Sequence, residues 1–103
     1  MKDIEMLSER IEDEIADAKK YAMDALEYKE RRPELSKRFY NLSTQEMEHM
    51  KILHDSVVEI INEYKKTHGD PPADMQARYD WVHKKHIKAA SEVKILQAAY
   101  REG

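Results

Sequence analysis

Thr44-Gln45-Glu46-Met47-Glu48-His49-Met50-Lys51-Ile52-Leu53, near the middle of the chain, decides how the rest is read. Stepping outward by alternate fours and threes gives Leu35, Phe39, Leu42, Glu46, His49, Leu53, Ser56 and Ile60, the periodicity of one helix face. The ends of this series are mostly apolar, while its centre holds a carboxylate and an imidazole. An ionised Glu in a packing seam costs several kcal/mol unless it is paired, so Glu46 and His49, one turn apart, call for a compensating charge or a metal ion.

Length and composition frame that observation. The 103 residues suffice for one domain, 1–103, with a modest core. Charged residues make up 38% of the chain and there are only two Gly and three Pro, a composition that points to an all-α fold with well-solvated outer faces. The formal charge of −3 is spread over interleaved acids and bases, unlike the basic stripe of a nucleic-acid binder. With no Cys, there is neither a disulfide framework nor a thiolate site. Carboxylate and imidazole remain as ligands, and these suit iron, manganese or zinc. No apolar run approaches the roughly 20 residues of a membrane span, and the N-terminus passes into an amphipathic pattern with no signal-type apolar stretch. A cytoplasmic protein with no membrane or nucleic-acid partner is the expectation.

Three long antiparallel helices follow from the punctuation. The first, about residues 2–30, has the seam Ile4, Leu7, Ile11, Glu14, Ala18, Tyr21, Ala25 and Tyr28, in which Glu14 is the single charged member. Arg31-Arg32-Pro33 ends it, because Pro disfavours helical geometry in the residue before it and suits the first turn of the next helix. The second helix, about 33–66, carries the Glu46/His49 series and must run back along the first. Thr67-His68-Gly69-Asp70-Pro71-Pro72 is a clear loop. The third helix, about 73–101, has the seam Met75, Tyr79, Val82, His86, Ala89, Val93, Leu96 and Tyr100, with Trp81 beside it.

Residues equidistant from a hairpin turn lie at equal height. The midpoint of positions 14 and 46 is residue 30, beside the first turn, so Glu14 and Glu46 should be level and both inward. Two carboxylates and a His at one height repel one another when empty and are satisfied by a divalent cation. The midpoint of 46 and 92 is Gly69, which makes Glu92 a fourth candidate ligand, one residue off its helix seam and at the flank of the interior.

These residues resemble the ferritin-like superfamily. Gln45-Glu46-Met47-Glu48-His49-Met50-Lys51-Ile52-Leu53 is similar to the Glu-x-x-His segment of ferritins and rubrerythrins, and Glu14 followed by Tyr21 is similar to the first-helix Glu and Tyr of those families. The likeness covers roughly residues 4–62. It implies Glu14, Glu46 and His49 as iron ligands, and Tyr21 as a hydrogen-bond donor beside the metal and the candidate catalytic side chain. A complete di-iron site draws a Glu from each of two helices and Glu-x-x-His from each of two more. This chain has a single Glu-x-x-His of that kind and no fourth helix, so the resemblance implies a bundle completed by homodimerisation, as in the short encapsulated ferritin-like proteins. Two irons per dimer would then oxidise Fe(II) with O₂ or peroxide.

Plainer readings stand beside this one. Glu46 and His49 would serve equally as a polar pair retained for helix register, in a non-catalytic oligomerisation module with a vestigial metal site. Glu14 could pair with a Lys, and Tyr21 could simply fill space with its hydroxyl bonded. His83-x-x-His86 has a spacing that can hold zinc at a surface, although most helix histidines bind nothing. His54 and His68 read as solvent or loop residues, and the six Met residues as adaptable core filling.

Overall fold

The computed structural model describes residues 1–103 as three helices: α1 (Lys2–Tyr28), α2 (Pro33–His68) and α3 (Ala73–Glu102). They form a rod of 56 × 18 × 17 Å, whose long dimension matches the rise of the 36-residue α2. The breaks fall where the sequence puts them. α1 stops at Tyr28, two residues earlier than expected, and a tight turn follows in which the Arg32 N–H donates to the Tyr28 carbonyl at 2.8 Å. Pro33 opens α2, which continues two residues beyond the expected end, to His68. Gly69 then takes φ 76°, a left-handed conformation that a side chain would strain, and its N–H still closes onto Lys65 at 3.0 Å. No helix is long and apolar enough to cross a membrane.

α1 is the central element. It packs closely against both other helices, whereas the α2 and α3 backbones stay farther apart and meet through longer side chains. Its buried stripe is Ile4, Ile11, Ile15, Ala18, Ala22 and Ala25. Ile11, Ile15 and Ala18 join Ala90 and Val93 of α3, with Met47, Met50, Leu53 and Val57 of α2 packed around them. Ile11 and Val93 are among the largest fully buried side chains, each worth about 2 kcal/mol of apolar burial.

The α1–α2 contact is made through small residues. Ser36 and Ser43 are fully buried opposite the alanines of α1. The Ser36 hydroxyl donates to the Ala25 carbonyl, and the Ser43 hydroxyl to the Ala18 carbonyl at 2.7 Å. Buried Gln97 of α3 donates from Nε2 to Ser43 Oγ at 2.9 Å, so one polar relay ties all three helices.

This contact corrects the expected α2 seam. The apolar series placed Leu35, Phe39, Leu42, Glu46, His49, Leu53, Ser56 and Ile60 inward; Leu53 does pack on the core, but Ser36, Ser43, Met47, Met50 and Val57, each one residue on from a seam position, turn inward, while Leu42 and His49 are exposed and the other members only half-buried. The d-type half of the α1 seam moves outward likewise: Leu7, Glu14, Tyr21 and Tyr28 are only half-buried. The physical reason is steric. Helices that approach through Ala and Ser come closer than Leu and Phe allow, so the larger side chains are displaced to the flank. There Phe39 packs on Tyr21 and Tyr28, with ring centroids 6.2 and 5.9 Å apart. The result is a half-covered α1/α2 face that includes Leu42, 37% exposed.

Candidate metal centre

The displaced flank carries the chemistry. Glu14 projects from the middle of α1, and Glu46 and His49 from one turn of the antiparallel α2. His49 Nδ1 lies 3.6 Å from Glu14 Oε2 and 3.8 Å from Glu46 Oε1. One donor atom from each of the three falls within 4.8 Å of the others, a group that could hold a metal ion. The hairpin arithmetic therefore placed Glu14 and Glu46 at one height, although the level they share is on the flank and not in the three-helix interior.

The electrostatics of the group are unfavourable without a cation. The Glu46 side chain is 19% exposed and that of Glu14 is 27% exposed, so water screens their repulsion only partly. Glu46 is pushed up to about 7, first by a hydrogen bond shared with Glu14, then by burial and by the Glu14 charge, with His49 opposing. Glu14 Oε2 is out of contact with water and has no hydrogen-bond partner. A carboxylate oxygen in that condition is costly, and either a proton or a cation relieves it. His49 is the open side of the group, its side chain 56% exposed.

The other two candidate residues are placed elsewhere. Tyr21 stacks on Phe39, two turns along α1 from Glu14, on the same face as the group. Glu92 does not join the group: it lies on α3 with its carboxylate 3.5 Å from Lys19 Nζ, and its side chain is 48% exposed. Its off-seam position turned it to the α1–α3 flank, where a lysine supplies the compensating charge.

The structure also gathers histidines that the periodicity left scattered. His54 of α2 and His83 of α3 stack with ring centroids 5.2 Å apart, and His86, one turn further along α3, is 8% exposed. The midpoint of 54 and 83 falls between His68 and Gly69, so the same equal-height argument that paired the glutamates identifies this pair too. The chain matches no protein-family model, no curated protein and no solved structure at significant similarity.

Proposed function

We propose that the chain is a ferritin-like iron protein in which Glu14, Glu46 and His49 hold iron, and that a second copy of the chain completes the centre. The observation that carries this reading is the Glu14/Glu46/His49 group itself, with a buried carboxylate oxygen that nothing in the chain satisfies. The donor set is oxygen-rich with one imidazole, which fits iron and also suits manganese or zinc. Three donors are half of what two ions need. A two-fold axis on the α1/α2 face would double them to four carboxylates and two imidazoles, and would cover Leu42, Phe39 and Tyr21 at the same time.

Iron bound there would supply the electrons that reduce O₂ or peroxide as Fe(II) becomes Fe(III). The protein's part is to neutralise the cation with Glu14 and Glu46, to give a nitrogen from His49, and to release the proton that Glu46 holds when the cation enters. Tyr21, two turns along the same flank of α1, is the side chain this reading assigns as hydrogen-bond donor. Fe(II) added in air should develop a near-ultraviolet ferric absorbance saturating at two irons per dimer by solution mass. Wild-type protein that behaves like Glu46→Ala would remove the proposal.

A second reading is favoured by one observation. The raised pKa of Glu46 favours a proton between it and Glu14, a metal-free way of satisfying the pair that a polar interhelical contact in a non-catalytic oligomerisation module would require. Under that reading His49→Leu leaves stability unchanged or higher, and no metal alters it.

A further inference from the structure

About a quarter-turn around α2 from Glu46, the cleft between α2 and α3 contains two adjoining hollows of about 260 and 290 Å³, and His54, His83 and His86 line both. From this juxtaposition we infer that the three histidines form a second divalent-cation site, of zinc-type chemistry, that clamps α3 to α2. The inference is independent of the iron centre.

The burial pattern argues for it first. His86 is 8% exposed beside Ile11 and Ala90, and its Nε2 is out of contact with water without a hydrogen-bond partner, although Glu12 Oε1 stands 3.4 Å away in poor alignment. An imidazole buried in this way is less stable than an apolar side chain of the same size unless its ring nitrogens are used. Burial also lowers its pKa, with Glu12 opposing, and so favours the neutral ring, the form that binds metal. Glu12 stands at Nε2 itself, placed as the carboxylate that orients a ligating imidazole, which would leave Nδ1 for the metal.

The arrangement of the three supports it next. His83 and His86 share one face of α3 at a spacing of three residues, and His54 meets them from α2 at the same height. Three neutral imidazoles with a water position to spare are a recurrent zinc donor set. His83 is exposed and His54 half-buried, and a chelating arrangement requires their rings to rotate out of the stack. Lys51 and Lys94 at the rim and Lys85 beside Glu12 oppose a cation, while Glu12 and Asp80 favour it, leaving the imidazoles to decide affinity. The fold gives the ion something to do. The α2 and α3 backbones approach α1 more closely than each other, and their side-chain contacts at Gln97–Ser43 and Tyr40–Tyr100 lie toward the other end of the rod, so a ligand from each would join them at this end.

Zinc chloride titrated into the chain carrying Glu14→Gln, Glu46→Gln and His49→Gln tests the site without the first group. Ring ¹⁵N resonances of His54, His83 and His86 should shift and saturate at one equivalent per chain. With zinc about a hundredfold above Kd the unfolding midpoint should rise by about 10 °C. Adding His83→Asn should weaken binding at least about tenfold, and adding His54→Asn as well should abolish the midpoint shift, while buried His86 is left intact so that the fold is preserved. Rings unmoved at one equivalent, or a His54→Asn/His83→Asn chain that binds zinc as tightly as its parent, would overturn the inference. Loss of iron oxidation alone, with zinc binding retained, overturns only the iron proposal.

Discussion

Glu46 faces Glu14 across the α1–α2 flank, and a hydrogen bond to Glu14, burial and the Glu14 charge raise its carboxyl from 4.5 to about 7. A pKa raised by folding contributes stability that is complete below the unfolded value and is lost as pH climbs through the folded one. Metal-free protein should therefore lose this contribution between about pH 4.5 and 7. Glu46→Gln, which keeps the shape without the charge, should be more stable than wild type at pH 8 by about 1 kcal/mol and should not exceed it at pH 5. His86 acts in the opposite sense: burial resists its protonation, so stability falls as pH drops below 6.5 in both proteins. Thermal unfolding of the two chains across this range separates the contributions, and parallel curves would show that Glu46 does not titrate as described.

The Gln97–Ser43–Ala18 relay predicts an unusually costly serine. Ser43→Ala removes the partner of buried Gln97 Nε2 and should destabilise the fold by about 1–3 kcal/mol. Ser43→Leu should cost at least as much, because the closely approaching helices have no room for it. Chemical denaturation measures both, and a neutral Ser43→Ala would mean that the relay carries no net energy.

Leu42 separates self-association from folding. It is 37% exposed, so Leu42→Glu should leave helix content and the unfolding midpoint nearly unchanged. Ile11→Ala, at 2% exposure, should by contrast cost about 2–5 kcal/mol. In sedimentation experiments Leu42→Glu should shift the chain toward monomer, and its iron oxidation should fall in step. A dimer indifferent to Leu42→Glu would place the two-fold contact on another face.

Tyr21→Phe keeps the stack on Phe39 and deletes only the hydroxyl. Iron stoichiometry should be preserved while the rate of Fe(II) oxidation drops by about tenfold, the low end of what a positioned proton donor contributes. Stopped-flow absorbance reads the rate and elemental analysis reads the stoichiometry. Equal loss of both would make Tyr21 a packing residue.

Helix number, the Arg32-Pro33 and Gly69 breaks and the level placement of Glu14 with Glu46 were legible in the sequence, because each rests on local backbone chemistry or on simple hairpin geometry. The rotation of α2 was not. Its most apolar positions spell out Leu35, Phe39 and Leu42, and periodicity gives no weight to Ser36 and Ser43, whose value lies in being small where Ala18, Ala22 and Ala25 are also small. Glu92 shows the limit of height arguments: a level residue reaches a site only if its rotation agrees, and one position off the seam delivered it to Lys19. His54 and His83 show their strength, since the same arithmetic pairs them across Gly69.

The serine-to-alanine contact has a last consequence. By drawing two helix axes together it leaves no hollow between them for ions, and the acidic groups ride on the outside of the hairpin. A centre divided between two such hairpins would obey mass action: below the dissociation constant of the pair, oxidation should rise with the square of protein concentration, and dilution alone would switch it off.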